Sequence, residues 1–329
     1  MKQSTNLFWV LAFAVIFAAC SDSDDTKPDP DPDPDPAKRI LVTKIELQVN
    51  NQKVPYMEFT YDDNDLLTAA VKKNYEDGVL VSTESFTLTR NGKNNAVADA
   101  SFVLATAPDN QVHNKFGFVY DENGQITEKI RYASDGTTKS ESQTYKWAYG
   151  QITEVNMDAL SNKANIYEIK YDDKGIPQPL SISALVKGEY DRYNYNTETY
   201  TPTINESKLT NFFSHIPLEV TLLFLAQYPG DLMRSQISNE ITSFDYKYSE
   251  KTYPNENYED LDILGEKDKL NNYKYTYVYE DNGLPSEVTQ TLTTTTKFKD
   301  YLNPDEDFEE DNVITVMKLY PTYLVKEMK

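Results

Sequence analysis

The stretch YKYTYVYEDNG, from Tyr273 to Gly283, constrains this chain more than any other feature. Tyr273, Tyr275, Tyr277 and Tyr279 fall on one side of a period-two pattern, and Lys274, Thr276 and Val278 on the other. Only an extended strand with one buried and one wet face sorts residues that way. The same alternation runs through Ile45, Leu47 and Val49, through Met57, Phe59 and Tyr61, through Phe86 and Leu88, through Phe116, Phe118 and Tyr120, and through Tyr167, Ile169 and Tyr171. Tyr, with 25 copies against 2 Trp and 14 Phe, suits such half-wet faces, because its ring is apolar and its tip polar.

Each clear run ends in a related signal: YDDNDL from Tyr61, YDENGQ from Tyr120, YDDKGI from Tyr171 and YEDNGL from Tyr279. In the first three an Asp (Asp62, Asp121, Asp172) stands at the first turn position, where a carboxylate can accept backbone N–H groups. Three positions later come Asp65, Gly124, Gly175 and Gly283. That position needs a positive φ, which Gly adopts freely and Asp tolerates. RNGK at Arg90 and SDGT at Ser134 are further turn signals, and WAYGQITEV, from Trp147, echoes the restart after the acidic turns. The starts are unevenly spaced, so this is a degenerate series of hairpins rather than a strict solenoid. The expected fold is mainly β, a curved or closed antiparallel meander of long hairpins, barrel-like, formed by residues 39–329 as a single domain.

One segment breaks the pattern. Leu209, Phe212, Phe213 and Ile216 recur at helical spacing, Pro217 suits a helix start, and 218–228 is largely apolar. A short helical insert around 205–229 is therefore predicted, too short to cross a bilayer and expected to cap or plug the sheet. The acidic runs from Asn255 to Lys269 and from Asn303 to Asn312 read as loops between strands.

The N-terminus is a different kind of sequence. One Lys precedes an apolar run from Leu7 to Ala19 that is of export-signal length, and then comes Cys20, the only cysteine. The small-small-Cys ending resembles a bacterial lipobox. By that resemblance residues 1–19 are a signal peptide, Cys20 is acylated and tethers the chain to a membrane, and no thiol remains for a disulfide or for catalysis. Residues 20–38 form an acidic Pro-Asp stalk; Pro28 to Pro36 should be extended polyproline, about 28 Å long.

Charge narrows the partners. Removing residues 1–19, and Lys2 with them, takes the formal charge from −21 to −22. That disfavours nucleic acid and an anionic surface. Read as a helix–loop–helix calcium loop, DENGQITEKIRY places Ile126 where Gly is required and Tyr132 where a bidentate Glu is required, so it fails, and no cofactor or metal is expected. His113 and His215 are the only histidines, which leaves little for a zinc site or a triad.

The lipobox, the acidic stalk, the Y-D-x-x-G hairpins, the apolar insert and the late YVYEDNGLPSEV together resemble a family of Bacteroidetes cell-envelope lipoproteins of unknown function with a porin-like fold. The hairpin motif is also similar to the YD repeats of Rhs-type shell proteins. The resemblance implies an outer-membrane lipoprotein, exposed at the cell surface or facing the periplasm, and transfers no catalytic residue. The expected role is non-catalytic binding or scaffolding, with a glycan or an envelope protein as partner. Trp147, Tyr149, Tyr193 and Tyr195 would stack on sugar if exposed together. The alternative is a glycan-active hydrolase working through two carboxylates.

Overall fold

The computed structural model describes residues 38–91, 96–106, 110–157, 160, 166–187, 192–205, 211–225, 229–254, 263–302 and 308–327. The expected signal peptide, Cys20 and nearly all of the expected stalk lie outside them. Arg39–Lys326 forms one compact unit.

This unit is one sixteen-stranded sheet. Its first arm is β1 (Lys38–Val49), β2 (Gln52–Tyr61), β3 (Leu67–Glu76), β4 (Val79–Asn91), β5 (Val97–Thr106), β6 (Asn110–Tyr120), β7 (Ile126–Tyr132), β8 (Lys139–Ala148), β9 (Gln151–Asn156) and β10 (Ile166–Glu168). The second is β11 (Leu180–Lys187), β12 (Tyr193–Ile204), β13 (Ile241–Tyr253), β14 (Gly265–Tyr279), β15 (Pro285–Asp300) and β16 (Phe308–Glu327). Successive strands within each arm pair as neighbours, and β1 pairs with β16, so the meander curls into a nearly closed barrel whose seam lies between β10 and β11. All registered pairings are antiparallel, as expected of hairpin connections. Because alternate turns of a meander fall at alternate ends, the four Tyr-acidic turns share one end, here the turn end. Arg39 and Lys326 lie there too, and Lys326 pairs with Asp65.

At each turn the Asp works locally. Asp121 Oδ1 accepts from the N–H of Asn123 (2.9 Å) and of Gln125 (2.8 Å), and Gly124 N–H donates to Asp121 O (3.1 Å). Asp62 repeats this with Asn64 and Leu66, and Asp172 with Lys174 and Ile176. Where the first position is Glu280, Asn282 takes over and accepts from Leu284 N–H at 2.8 Å. Asp65 has φ 62°, and Gly124, Gly175 and Gly283 have φ 74–78°. A register shift follows at Tyr61, Tyr120 and Tyr279, so each restart is bulged.

The core fills the inside of the barrel. Inward residues such as Met57, Phe59, Phe86, Phe118, Tyr145 and Val288 pack against the segment joining β12 to β13. That segment holds a 3₁₀ turn at Phe212–His215, helix α1 (Leu218–Val220) running into a π turn at Thr221–Leu225, and helix α2 (Pro229–Gln236). It fills the lumen as a plug. The helical region extends past 229: Pro229 opens α2 rather than ending a helix, because a first-turn residue needs no N–H partner. Gly230 is obligatory in that packing; a Cβ there would stand 2.6 Å from Tyr200 Cδ1.

Two acidic runs read as loops are partly strand. Gly265–Lys269 opens β14 and Phe308–Asn312 opens β16, where Glu309 stands opposite Lys297 and Glu310 opposite Thr296. Cross-strand pairing outweighs the low β-propensity of a charge run. Residues 255–262 and 303–307 of these runs, and Gly92–Lys93 of the RNGK signal, lie outside the described residues.

The outer face is mostly polar, with scattered exposed apolar residues such as Val278, Ile314 and Val316. Glu58, Thr60, Thr87, Thr89, Ser101, His113, Lys146, Lys247, Lys274 and Thr276 alternate with inward residues and are exposed. Ion pairs such as Lys146–Glu154 (2.9 Å) and Lys318–Glu287 (3.0 Å) lie on it. A membrane-spanning barrel needs an apolar outer band about 25 Å tall, and charges at such positions are costly in lipid. Charged residues such as Lys146, Lys247 and Lys274 stand on this wall. Among the described residues no helix is long and apolar enough to cross a membrane.

Candidate functional site: two cavities separated by the plug

The plug is held by charged side chains reaching in from the wall. Glu219, at the start of α1, is buried; its Oε1 accepts from Arg90 Nη2 (3.1 Å) and from the Tyr120 hydroxyl (2.9 Å). Burial, with Glu219 beside it, pushes the Tyr120 phenol far above its ordinary range. Lys129 Nζ donates to Leu222 O (2.7 Å) and Lys72 Nζ to Phe224 O (3.2 Å), satisfying carbonyls of the π turn. Gln236 Oε1 accepts from the N–H of Ile152 (3.3 Å), and Arg234 donates to the Tyr275 hydroxyl (2.7 Å) while its guanidinium faces the rings of Phe213, Phe244 and Tyr273.

Burial lowers the Lys129 ammonium from 10.5 to about 8. Below pH 8 both folded and unfolded chains are protonated there, and above 10.5 neither is; between the two the folded chain binds fewer protons. Stability should therefore rise with pH across that window, by on the order of 3 kcal/mol from this group. Lys129→Met should remove that rise. Urea midpoints at pH 7.5 and 10 check it, and equal pH slopes in both proteins would contradict it.

At the turn end a cavity of about 880 Å³ lies between the plug and the turns, lined among others by Arg39, Tyr61, Asp65, Asp121, Trp147, His215 and Glu219. Most of its polar groups are already engaged, although His215 Nε2 has no hydrogen-bond partner among the described residues. Tyr61 donates to Val42 O (2.7 Å), Trp147 Nε1 donates to Ile126 O (2.8 Å), Asp121 caps its own turn, and Asp65 pairs with Lys326. Burial holds His215 below the ordinary imidazole value. This cavity is a buttress in which the carboxylates have structural partners.

On the other side of the plug a chamber of about 480 Å³ has a different lining: Tyr200, Tyr246, Tyr248 and Tyr273, with Glu198, Lys267, Lys269 and Asn271, and Gly230, Asp231 and Arg234 from the plug. Tyr200 and Tyr246 lie with ring centroids 5.2 Å apart, tilted by 35°. Tyr246 and Tyr248 alternate along β13, and Lys267, Lys269, Asn271 and Tyr273 along β14, all in the inward register of Phe244.

The four aromatic residues proposed from sequence are not brought together. Trp147 turns inward against the core, and Tyr149, with φ 53°, is fully exposed on the β8–β9 turn. Both lie at the turn end; Tyr193 and Tyr195 begin β12 at the opposite end, on the outward register. Sequence reasoning missed Glu219 and Arg90, although a single acid in IPLEVTLLFL should demand a cationic partner. It also missed the chamber. Its signal was the inward Tyr run of FDYKYS beside the alternating KDKLNNY, which meet only once β13 and β14 are registered.

No family model matches this chain, and no curated protein matches it. Among solved structures, a porin-like protein from Bacteroides uniformis ATCC 8492 is similar, with 13% identity over 86% of this chain and 96% of that one, at a TM-score of 0.39. At that identity and score nothing about transport or binding passes from that protein to this chain, and the barrel reading rests on the strand pairings described above.

Proposed function

We propose that this chain is a lipid-anchored protein of the bacterial outer envelope that binds glycan without catalysis, in the tyrosine-lined chamber. The observation that carries the binding role is the convergence of Tyr200, Tyr246, Tyr248 and Tyr273 with polar side chains around one open chamber floored by the plug. Rings that offer an apolar face beside hydrogen-bonding groups are what a sugar requires. The carboxylates near either cavity favour binding over hydrolysis: Glu219 holds Arg90 and Tyr120, Glu198 accepts from Tyr200, and Asp231 pairs with Arg234. A hydrolase needs two such groups free to exchange protons and attack.

The anchor reading rests on the lone Cys20 after an apolar signal-length run, and on the resemblance to Bacteroidetes envelope lipoproteins. The polar outer wall suits a body held in water by a tether. Cys20→Ala should shift the protein from the membrane fraction to the soluble one; unchanged retention would refute lipidation.

For binding, the mature chain is titrated calorimetrically with a panel of neutral and acidic oligosaccharides. At least one should bind, and Tyr248→Ala should weaken it about tenfold, about 1.4 kcal/mol. Tyr149→Ala, whose ring lies at the far end, should leave affinity unchanged. If no sugar binds, or if the Tyr248 variant binds as tightly, the chamber is not the site.

A further inference from the structure

We infer that the chamber takes a linear sugar chain end-on, with one terminus of the chain buried against the plug; this rests on the glycan reading above. The wall of the chamber comes from three neighbouring strands, β12, β13 and β14, and its floor from α2. Along β14 the wall runs from Lys267 to Tyr273, six residue steps or about 20 Å. Across the three strands it is two strand spacings wide, about 10 Å. The chamber is therefore a trough parallel to the strands, and a chain fills it lengthwise.

The two ends of the trough differ. Lys267 is exposed and stands just inside the start of β14 at Gly265, at the end of the barrel opposite the turns. Lys269, Asn271 and Tyr273 are half-buried, and Tyr275, next on the same face, is buried. On β13 the gradient repeats: Tyr248 and Tyr246 are half-buried and Phe244 is buried. The plug stops the trough at that inner end. Gly230, Asp231 and Arg234 of α2 line it there, Arg234 donates to the Tyr275 hydroxyl, and its guanidinium faces Phe244 and Tyr273. Asp231, Arg234 and Tyr273 also line a smaller cavity of about 240 Å³ between the plug and the wall, so these side chains are the partition that closes the trough.

A groove open at both ends binds an internal stretch of a polymer and lets the chain continue past either side. A trough closed at one end does not. The innermost sugar must be a chain terminus, and any group attached to that terminus meets the Arg234–Asp231 pair and the Phe244 ring instead of water. Selection of an end then comes from exclusion as much as from contact. The other end of the chain leaves past Lys267 into solvent, so length beyond the trough adds no contact.

The test uses the mature chain and linear oligosaccharides, from dimer to octamer, of amylose, mannan, xylan, β-glucan and hyaluronan type, titrated calorimetrically. For each series that binds, the hexamer is then compared with two capped forms, one carrying a bulky aromatic group on the reducing end and one carrying it on the non-reducing end. At least one cap should weaken binding tenfold or more, and the cap that does so names the buried terminus. Kd per chain should level off before the octamer, and a long linear chain of the same sugar should hold a single protein molecule by light scattering. Tolerance of both caps, or several protein molecules on each long chain, would overturn the inference while the glycan reading stands. Absence of binding in every series would overturn both.

Discussion

Arg90→Leu should destabilise the barrel by about 3–5 kcal/mol, among the largest effects of any single substitution here. Arg90 and Glu219 have side chains only 12% and 11% exposed, and the substitution leaves the Glu219 carboxylate buried with one neutral partner, the Tyr120 hydroxyl. Removing one partner of a buried pair costs that much because the other charge stays desolvated and unmatched. Replacing both should cost far less: Arg90→Leu/Glu219→Leu takes the charge away along with its partner and leaves apolar groups of similar size. Urea denaturation of the two single variants and the double variant closes the cycle. A double variant as unstable as Arg90→Leu would show that the pair is not the reason. The same contact joins β4 to the plug, so the single variant should also loosen the segment from Phe212 to Gln236, seen as faster amide exchange there than in the strands.

Phe224→Ala should cost a similar 3–5 kcal/mol for a different reason. The Phe224 side chain is buried, its ring centroid 5.0 Å from that of Phe86 and 6.1 Å from that of Phe102. Truncation removes the transfer free energy of the ring and leaves a cavity that the rigid strands β4 and β5 cannot collapse to fill. Lys72 still donates to the carbonyl of residue 224, so the backbone anchor survives and the loss is one of packing alone. Phe224→Leu, which keeps part of the volume, should cost less than half as much. Thermal and urea unfolding distinguish the two. An Ala variant within about 1 kcal/mol of the parent would mean that the plug is not packed against β4 and β5 as described.

These two substitutions probe what was hard to read from the chain. The strands were legible because each has a buried and a wet face, and a period of two needs no knowledge of neighbours. YKYTYVY is such a case: Tyr275 is buried and Lys274 and Thr276 are exposed, as the alternation requires. The turns were legible because their chemistry is local. An Asp that caps N–H groups two and four residues on, followed by a residue at positive φ, is complete within six residues.

The partners of Glu219 were not legible, since Arg90 and Tyr120 lie 129 and 99 residues away. The chamber was not legible either. Which tyrosines face inward at one height depends on the register of β12, β13 and β14, and a bulge such as that between Thr203 and Ile204 changes the register without leaving a mark in composition.

By itself the sequence determined the type of sheet, the hairpin turns, the sole cysteine and its place after an apolar signal-length run, and the presence of one helical insert. Those are short-range properties, set by side-chain periodicity and backbone preference. Only the tertiary structure decided that the insert fills the lumen, that the wall turns a polar face outward around it, and that Tyr200, Tyr246, Tyr248, Lys267 and Lys269 converge on one chamber. Those outcomes depend on how sixteen strands are registered and curled, which is settled by the summed packing of distant residues.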